Sequence, residues 1–360
     1  MKKYVTWLTI NRQCNLTCYW CYQKQLLSSR DRMSLDLAKR LIDLSIGIGS
    51  QKIILIGGEP TIHPDFLEIV RRCNAVEVTL LTNGIAFASR DFCQSVEDAG
   101  LKAVSTSLKG ASEKDYVNGC GGKEVFKKVM QAIENIEKTG MRHQVSITVS
   151  RSVINNWDAI PRLMRECGAT SFSFSFERPI MTGEDMSFDD SMLPGNIIPF
   201  IEKVMYPSLK ETGKDFDLNV TFPQCHFSSG FLAKARDEGH AVAGCQLLMD
   251  SGVIFDPDGR VLMCNHITDH PLGEYGKDFR TIDEMVAWRN SPDIRKFYEV
   301  AGAPPGAQCE ECSSWSGCGA GCRIFWIYKG ADVLLPVNST NNKANKRRPY
   351  VSEKLHDATV

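Results

Sequence analysis

The sequence has no long apolar run, no excess of either charge and no signal-peptide cleavage site, and each absence closes off a class of protein. No apolar stretch in its 360 residues approaches the roughly 20 needed to cross a bilayer. Lys and Arg number 42 against 43 Asp and Glu, so a net charge of −1 gives no global basic field for nucleic acid or for an anionic membrane surface. Met1-Lys2-Lys3 before YVTWLTI resembles the start of a signal peptide, but the run ends at Asn11-Arg12-Gln13 without a small-residue cleavage site, and a cytoplasmic location is expected. With 43% hydrophobic residues the chain has material for a sizeable core, and its length suggests two domains. Cysteine is abundant. In a reducing compartment 14 thiols are read as metal ligands or reactive groups rather than as disulfides.

Short β-rich runs alternate with helical stretches from residue 4 to about 180. The pattern predicts strands over 4–10, 52–56, 76–81, 103–107, 144–149 and 171–176, with helices over 34–48, 64–73, 90–99, 123–139 and 156–167. Six such units call for an α/β fold, a partial (β/α)6 TIM-like barrel, with chemistry at the C-terminal ends of the strands. After Phe176 the rhythm fails, and MTGEDMSFDDSMLPGN marks a boundary. The expected domains are the barrel over 1–180, a linker and helical bridge over 181–244, a smaller α+β domain over 245–336, and a polar, mobile tail over 337–360 that includes Lys343, Lys346, Arg347 and Arg348. Within the third, SGVIF and RVLMC flank the turn Asp256-Pro257-Asp258-Gly259, Thr281 and Glu284 form a capping box, and Ser291-Pro292 restarts a helix.

Cys14, Cys18 and Cys21 lie in CNLTCYWC directly after the first strand. Composition predicts that spacing about 0.02 times by chance, so coincidence is a poor explanation. Three thiolates on one loop hold three corners of a cubic iron-sulfur cluster and leave one iron open to a small molecule. Structural zinc is the alternative, but it wants four protein ligands. One strand later come Gly57, Gly58, Glu59 and Pro60, where two glycines permit close backbone approach and Glu59 supplies an acceptor. Taken alone, GGEP is an ordinary β-α turn.

The C-x3-C-x2-C loop followed by GGEP resembles the radical S-adenosylmethionine (SAM) superfamily. The resemblance implies a [4Fe-4S] cluster whose open iron binds the amino and carboxylate groups of SAM, with one electron cleaving SAM to a 5'-deoxyadenosyl radical that abstracts hydrogen. It also places Glu59 on the ammonium group and Trp20 near the adenine, although core packing accounts for Trp20 as well. Asn83, in Thr82-Asn83-Gly84, and Ser105 and Ser107, at the ends of the third and fourth strands, would flank the ribose and carboxylate or serve only as turn residues. Arg178, after the sixth strand, would pair with a carboxylate of SAM or substrate, or form an ion pair between domains.

A second set, Cys309, Cys312, Cys318 and Cys322 in CEECSSWSGCGAGC, has a spacing expected about 0.0008 times by chance. With Cys245 and Cys264 upstream in a C-x13-G-x4-C pattern, it resembles the SPASM or twitch extension, which implies one or two auxiliary [4Fe-4S] clusters and often a peptide substrate. A zinc ribbon from the last four cysteines is the alternative. The full SPASM pattern has a seventh cysteine after the x3-Cys, and none follows Cys322 here. Either one auxiliary cluster is lost, or it has a non-Cys ligand, or an open iron site remains; Cys225 supplies the missing ligand if it lies close. Cys73, Cys93 and Cys167 read as small core residues. Cys120, expected on a flexible loop after the fourth strand, and Cys225, if it is not a ligand, are candidate hydrogen donors to a substrate radical. His226, His266 and His270 receive no assigned duty.

The resemblance thus implies a radical SAM enzyme acting on a ribosomally made peptide by crosslinking, epimerisation or oxidation. The first strand begins at Tyr4, so peptide recognition would use the core, the C-terminal domain or a separate leader-binding protein. An electron donor such as flavodoxin or ferredoxin is also implied. The alternatives are a small-molecule dehydrogenase of a biosynthetic pathway and an activase of another enzyme. An electron carrier or zinc-stabilised interaction protein would leave the open three-cysteine loop and GGEP unexplained.

Overall fold

The six alternating units fold as read. The computed structural model describes residues 4–23, 31–182, 185–243, 245, 251–328 and 334. Strands β1 (Tyr4–Thr9), β2 (Ser50–Ile56), β3 (Glu77–Thr82), β4 (Ala103–Leu108), β5 (Arg142–Val149) and β6 (Ser171–Phe176) pair in parallel, each with the next. Helices α1 (Leu35–Gly47), α2 (Phe66–Arg72) and α3 (Arg90–Asp98) connect the first four strands. Ser34 and Ser89 cap α1 and α3 by accepting from Leu37 and Phe92 amides, which satisfies otherwise orphaned donors. After β4 stands a helix outside the expected set, α4 (Glu113–Cys120), capped by Ser112 and followed by α5 (Val125–Ile136). Its composition, EKDYVNGC, has two poor helix formers in its last turn, so propensity alone does not reveal it.

Along β4, β5 and β6 every second residue is buried. Leu108, Val145, Ile147, Phe172 and Phe174 share one apolar cluster with Val129 and Ile133 of α5, so this face is the one the helices cover. The alternate residues, Ser105, Ser107, Gln144, Ser146, Ser173 and Ser175, therefore line the opposite, concave face and are half-buried.

The segment 181–244 is more than a linker and helical bridge. After β7 (Ile180–Thr182) and β8 (Asp185–Ser187), a helical run passes from Pro194–Phe200 through a π turn, Ile201–Met205, to Tyr206–Lys210. It carries Pro199 and Pro207, which remove backbone donors from the ladder beside the π turn. Strand β9 (Asp215–Val220) then joins β6 in parallel, and β10 (Ala241–Ala243) joins β9. DFDLNV alternates acidic or polar with apolar residues, and the apolar half packs under the helices like the strands before it.

At the other edge, β11 (Gly252–Phe255) pairs in parallel with β1 and continues by antiparallel pairing into β12 (Arg260–Cys264) and β13 (Ile267–Glu274). The hairpin assigned to the smaller domain thus shares one 11-stranded sheet with the barrel. The Thr281–Glu284 capping box opens a helix at Ile282–Arg289, and Pro292 is the first residue of the next, Pro292–Gly302. The tail read as mobile lies outside the described residues.

Candidate active site

Beyond β1 the backbone keeps pairing with the end of β2. The Ile10 amide donates to the Ile56 carbonyl at 2.9 Å, Gly58 to Asn11 at 3.0 Å and Glu59 to Gln13 at 2.7 Å. This ladder carries the chain to Cys14 alongside GGEP. A Cβ on Gly58 would stand 2.2 Å from the Gln13 carbonyl oxygen, and one on Gly57 2.6 Å from that of Asn11. Close approach does explain both glycines, but the approaching backbone is the chain's own lead-in to the cysteine loop. A buried ion pair between Arg12 and Asp256 ties the same lead-in to the β11–β12 turn. In the sequence Asp256 shows only as part of a turn.

Glu59 is buried, and burial raises its carboxyl pKa while its hydrogen bonds oppose the rise. Oε1 accepts from the Thr61 amide at 3.1 Å, the Thr61 hydroxyl at 2.7 Å and the Thr82 hydroxyl at 2.7 Å. Oε2 accepts from the Asn83 amide at 2.7 Å, which leaves it capacity for another donor. Glu59 is thus first a clasp between the ends of β2 and β3. Pro60, also buried, opens the short turn after it. Asn83 extends the clasp to the cysteine loop, its side-chain amide donating to Asn15 Oδ1 at 2.6 Å and lying 4.0 Å from Cys14 Sγ.

The loop docks on α4. Thr17 and Tyr19 amides donate to the carbonyls of Cys120 and Gly119 at 2.9 and 3.1 Å. Trp20 is buried, and a Cβ on Gly119 would lie 3.1 Å from its ring, so Trp20 packs on the helix. Cys120 is not on a flexible loop: it ends α4, is 1% exposed, and its thiol hydrogen-bonds to Cys18. That contact and the charge of Lys109 hold Cys18 down to about 6, whereas the same contact and burial push Cys120 up. Burial raises Cys14 to about 12.

On the concave face, Ser107, Ser146, Ser173 and Asp217 stand in one register row across β4, β5, β6 and β9. Lys109 Nζ donates to Ser107 Oγ at 2.5 Å; Ser173 Oγ and Gln144 Nε2 donate to the two Asp217 oxygens at 2.8 and 2.9 Å. Ser105 faces the same way one row earlier, beside Gln144.

The remaining cysteines separate into two groups. Cys264 is pushed up to about 12 by burial, with Cys322 and Cys245 adding to the rise and Arg178 opposing it. Burial raises Cys322 too, again with Arg178 opposing and Cys245 adding. Arg178 therefore sits by these thiols, its Nε buried without a hydrogen-bond partner among the described residues. His266 completes the surroundings: its Nδ1 is 3.8 Å from Cys264 Sγ, and its ring stacks 4.4 Å from that of Tyr22, the residue after Cys21. No spacing signal pointed to His266 or Tyr22. Cys225 belongs to the other group, raised to about 11 by burial and then by its neighbours Cys318, Cys309 and Cys312. Cys73, Cys93 and Cys167 are buried in the core.

Among the described residues no three His, Cys, Asp or Glu side chains converge closely enough to hold a single metal ion, and no helix is long and apolar enough to cross a membrane. A family model described as the radical SAM superfamily matches residues 8–177. The probable GTP 3',8-cyclase of Pyrococcus abyssi is 29% identical over 157 residues, 42% of this chain and 50% of that protein, so the chain spans half the length of that relative. The AdoMet-dependent heme synthase of Methanosarcina barkeri is 25% identical over 336 residues, 89% of this chain and 91% of that one. Among solved structures, native anSMEcpe with bound AdoMet and Cp18Cys peptide has a TM-score of 0.67 at 17% identity over 92% of both chains, a likeness of fold.

Proposed function

We propose that this chain, a radical SAM enzyme by its domain at residues 8–177, abstracts hydrogen from a peptide that it binds on the concave face of its barrel. Cys14, Cys18 and Cys21 fit the family's [4Fe-4S] cluster, being three thiols on one loop at the end of a parallel strand. When bound, cluster and SAM supply a 5'-deoxyadenosyl radical. The chain's own residues fix where that chemistry happens. Glu59, Thr61, Thr82 and Asn83 lock the ends of β2 and β3, and Asn83 Nδ2 stands beside Cys14. This locked loop is the observation that carries the reading. Glu59 Oε2 has a lone pair left for the SAM ammonium, and Ser105 and Ser107 stand one strand further along the concave face.

The polar row supports a peptide. Hydroxyls at Ser107, Ser146 and Ser173 both donate and accept, which suits backbone amides, and Asp217 disfavours a polyanion such as a nucleoside triphosphate. The bound peptide of the fold neighbour agrees with this reading. A separate leader-binding protein and a flavodoxin- or ferredoxin-like electron donor belong to it. A small-molecule substrate is the second reading, favoured by the match to AdoMet-dependent heme synthase across nine-tenths of both chains.

The test is 5'-deoxyadenosine release by the anaerobically reconstituted, reduced protein with SAM. Replacing Cys14, Cys18 and Cys21 together by Ala is expected to abolish release while the iron at the other thiols stays. Release that survives the triple replacement sinks the assignment. Stimulation by a peptide fraction of the producing cell, and not by its small-molecule fraction, decides for the peptide; the reverse decides for the second reading.

A further inference from the structure

We infer that Cys225 is the fourth protein ligand of a metal centre built with Cys309, Cys312 and Cys318. Cys309 and Cys318 sit in two short helical turns, Ala307–Glu310 and Trp315–Cys318, with Cys312 in the loop between them, and their C-x2-C-x5-C spacing supplies three of the four thiolates that close a cubic iron-sulfur cluster. The fourth comes from a turn more than 80 residues upstream, Gln224–His226.

Packing brings that turn to the others. The Gln224 amide donates to Cys318 Sγ at 3.3 Å, so the residue preceding Cys225 already touches one of the three sulfurs. On the far side of the same loop the Cys322 amide donates to the Thr221 carbonyl at 2.7 Å. Between these contacts there is no spare room: a Cβ on Gly321, itself at φ +73°, would lie 2.4 Å from the Thr221 oxygen and 2.8 Å from the Phe222 carbonyl carbon. Phe222 and Phe325 fasten the segment with ring centroids 5.5 Å apart. Cys322 faces Cys264 and Cys245 instead, which divides the C-x2-C-x5-C-x3-C run between two centres and removes the four-cysteine zinc ribbon. Cys225 and Cys312 are exposed while Cys309 is buried, so this centre lies at the surface, open to electron donors and to chelators.

The inference rests on the radical SAM reading only for the identity of the metal group. The full chain is reconstituted anaerobically with ferrous iron and sulfide, then treated with iodoacetamide beside a metal-stripped sample, and each cysteine is mapped by mass spectrometry. Cys225 is expected to be protected at least about tenfold by loading, together with Cys309, Cys312 and Cys318. Equal labelling of Cys225 in both samples, with those three protected, overturns the assignment. Cys225→Ser and Cys309→Ser should each lose the same share of iron, about four of about twelve per chain. Full iron in Cys225→Ser against a loss in Cys309→Ser overturns it too, as does one zinc held by the four thiols without sulfide. Failure of the loaded wild-type chain to release 5'-deoxyadenosine would sink the proposed function and leave the protection pattern to decide Cys225.

Discussion

Cys14, Cys18 and Cys21 hang from a parallel strand whose hydrogen-bond ladder runs on past its end, whereas Cys309 and Cys318 sit in two helices of four residues each and Cys312 in the loop between them. The first loop is held by its own fold: the Gly58 and Glu59 amides pair with its lead-in, Arg12 is paired in the core with Asp256, and α4 receives Thr17 and Tyr19. The later thiols have no such ladder. Helices of one turn do not hold themselves, so contacts with residues 221–226 fix them, joined by the metal under the proposed ligation. The difference teaches that the fold itself orders one cysteine loop, while the other region leans on contacts made by residues far along the chain.

Stripping metal is the hardest blow to that contrast. Hydrogen exchange on the metal-free chain is expected to show protection retained in β1–β6 and lost over 221–226 and 307–326, because structural metal contributes its binding free energy to folding. If β1–β6 lose protection together with those residues, the two regions are not held by different means. A smaller effect, on the other side of the comparison, comes from Gly58→Ala. The added methyl meets backbone oxygens of Arg12 and Gln13 at 2.5 and 2.2 Å, which should cost about 3 kcal/mol and cut 5'-deoxyadenosine release at least tenfold with iron at the later thiols unchanged. Wild-type thermal stability and turnover in this variant would show that the ladder does not position the loop.

The least effect concerns Glu177, at the end of β6 between the two regions. Burial, then the charge of Asp189, raise its carboxyl from 4.5 to about 7, and its Oε2 is buried without a partner among the described residues. The folded chain thus keeps this proton at pH values where the unfolded chain has lost it, so stability falls as pH rises from about 4.5 to about 7 and levels off above. Glu177→Gln should flatten that segment of the unfolding free-energy profile against pH, by no more than about 3 kcal/mol. An unchanged slope would remove Glu177 from the account.

Much of this was legible in the order of residues. Strand and helix periods gave β1–β6 and their main helices within a few residues, because each element shows its own apolar repeat. Spacing singled out both cysteine sets, and a turn and a capping box were read where they occur. Other features stayed hidden. Helix α4 carries weak propensity and forms because Ser112 caps it and Trp20 and Tyr19 dock on its end, so Cys120 was expected on a loop instead of in the core. Arg178 was expected on SAM, on substrate or in an ion pair between domains, and it stands beside Cys264 and Cys322.

By itself the sequence determined the chemistry available: three thiols on one loop, a glycine pair beside them, and further thiols downstream in a fixed spacing. Local order carries such information because a motif's residues are neighbours along the chain and need no fold to be counted. Only the tertiary structure decided which thiols meet. It joined β9 to β6 and β11 to β1, brought residue 225 to residues 309–318, and set His266 against Tyr22. Those contacts join residues far apart in the chain, and the register of the sheet and the packing of its faces select them.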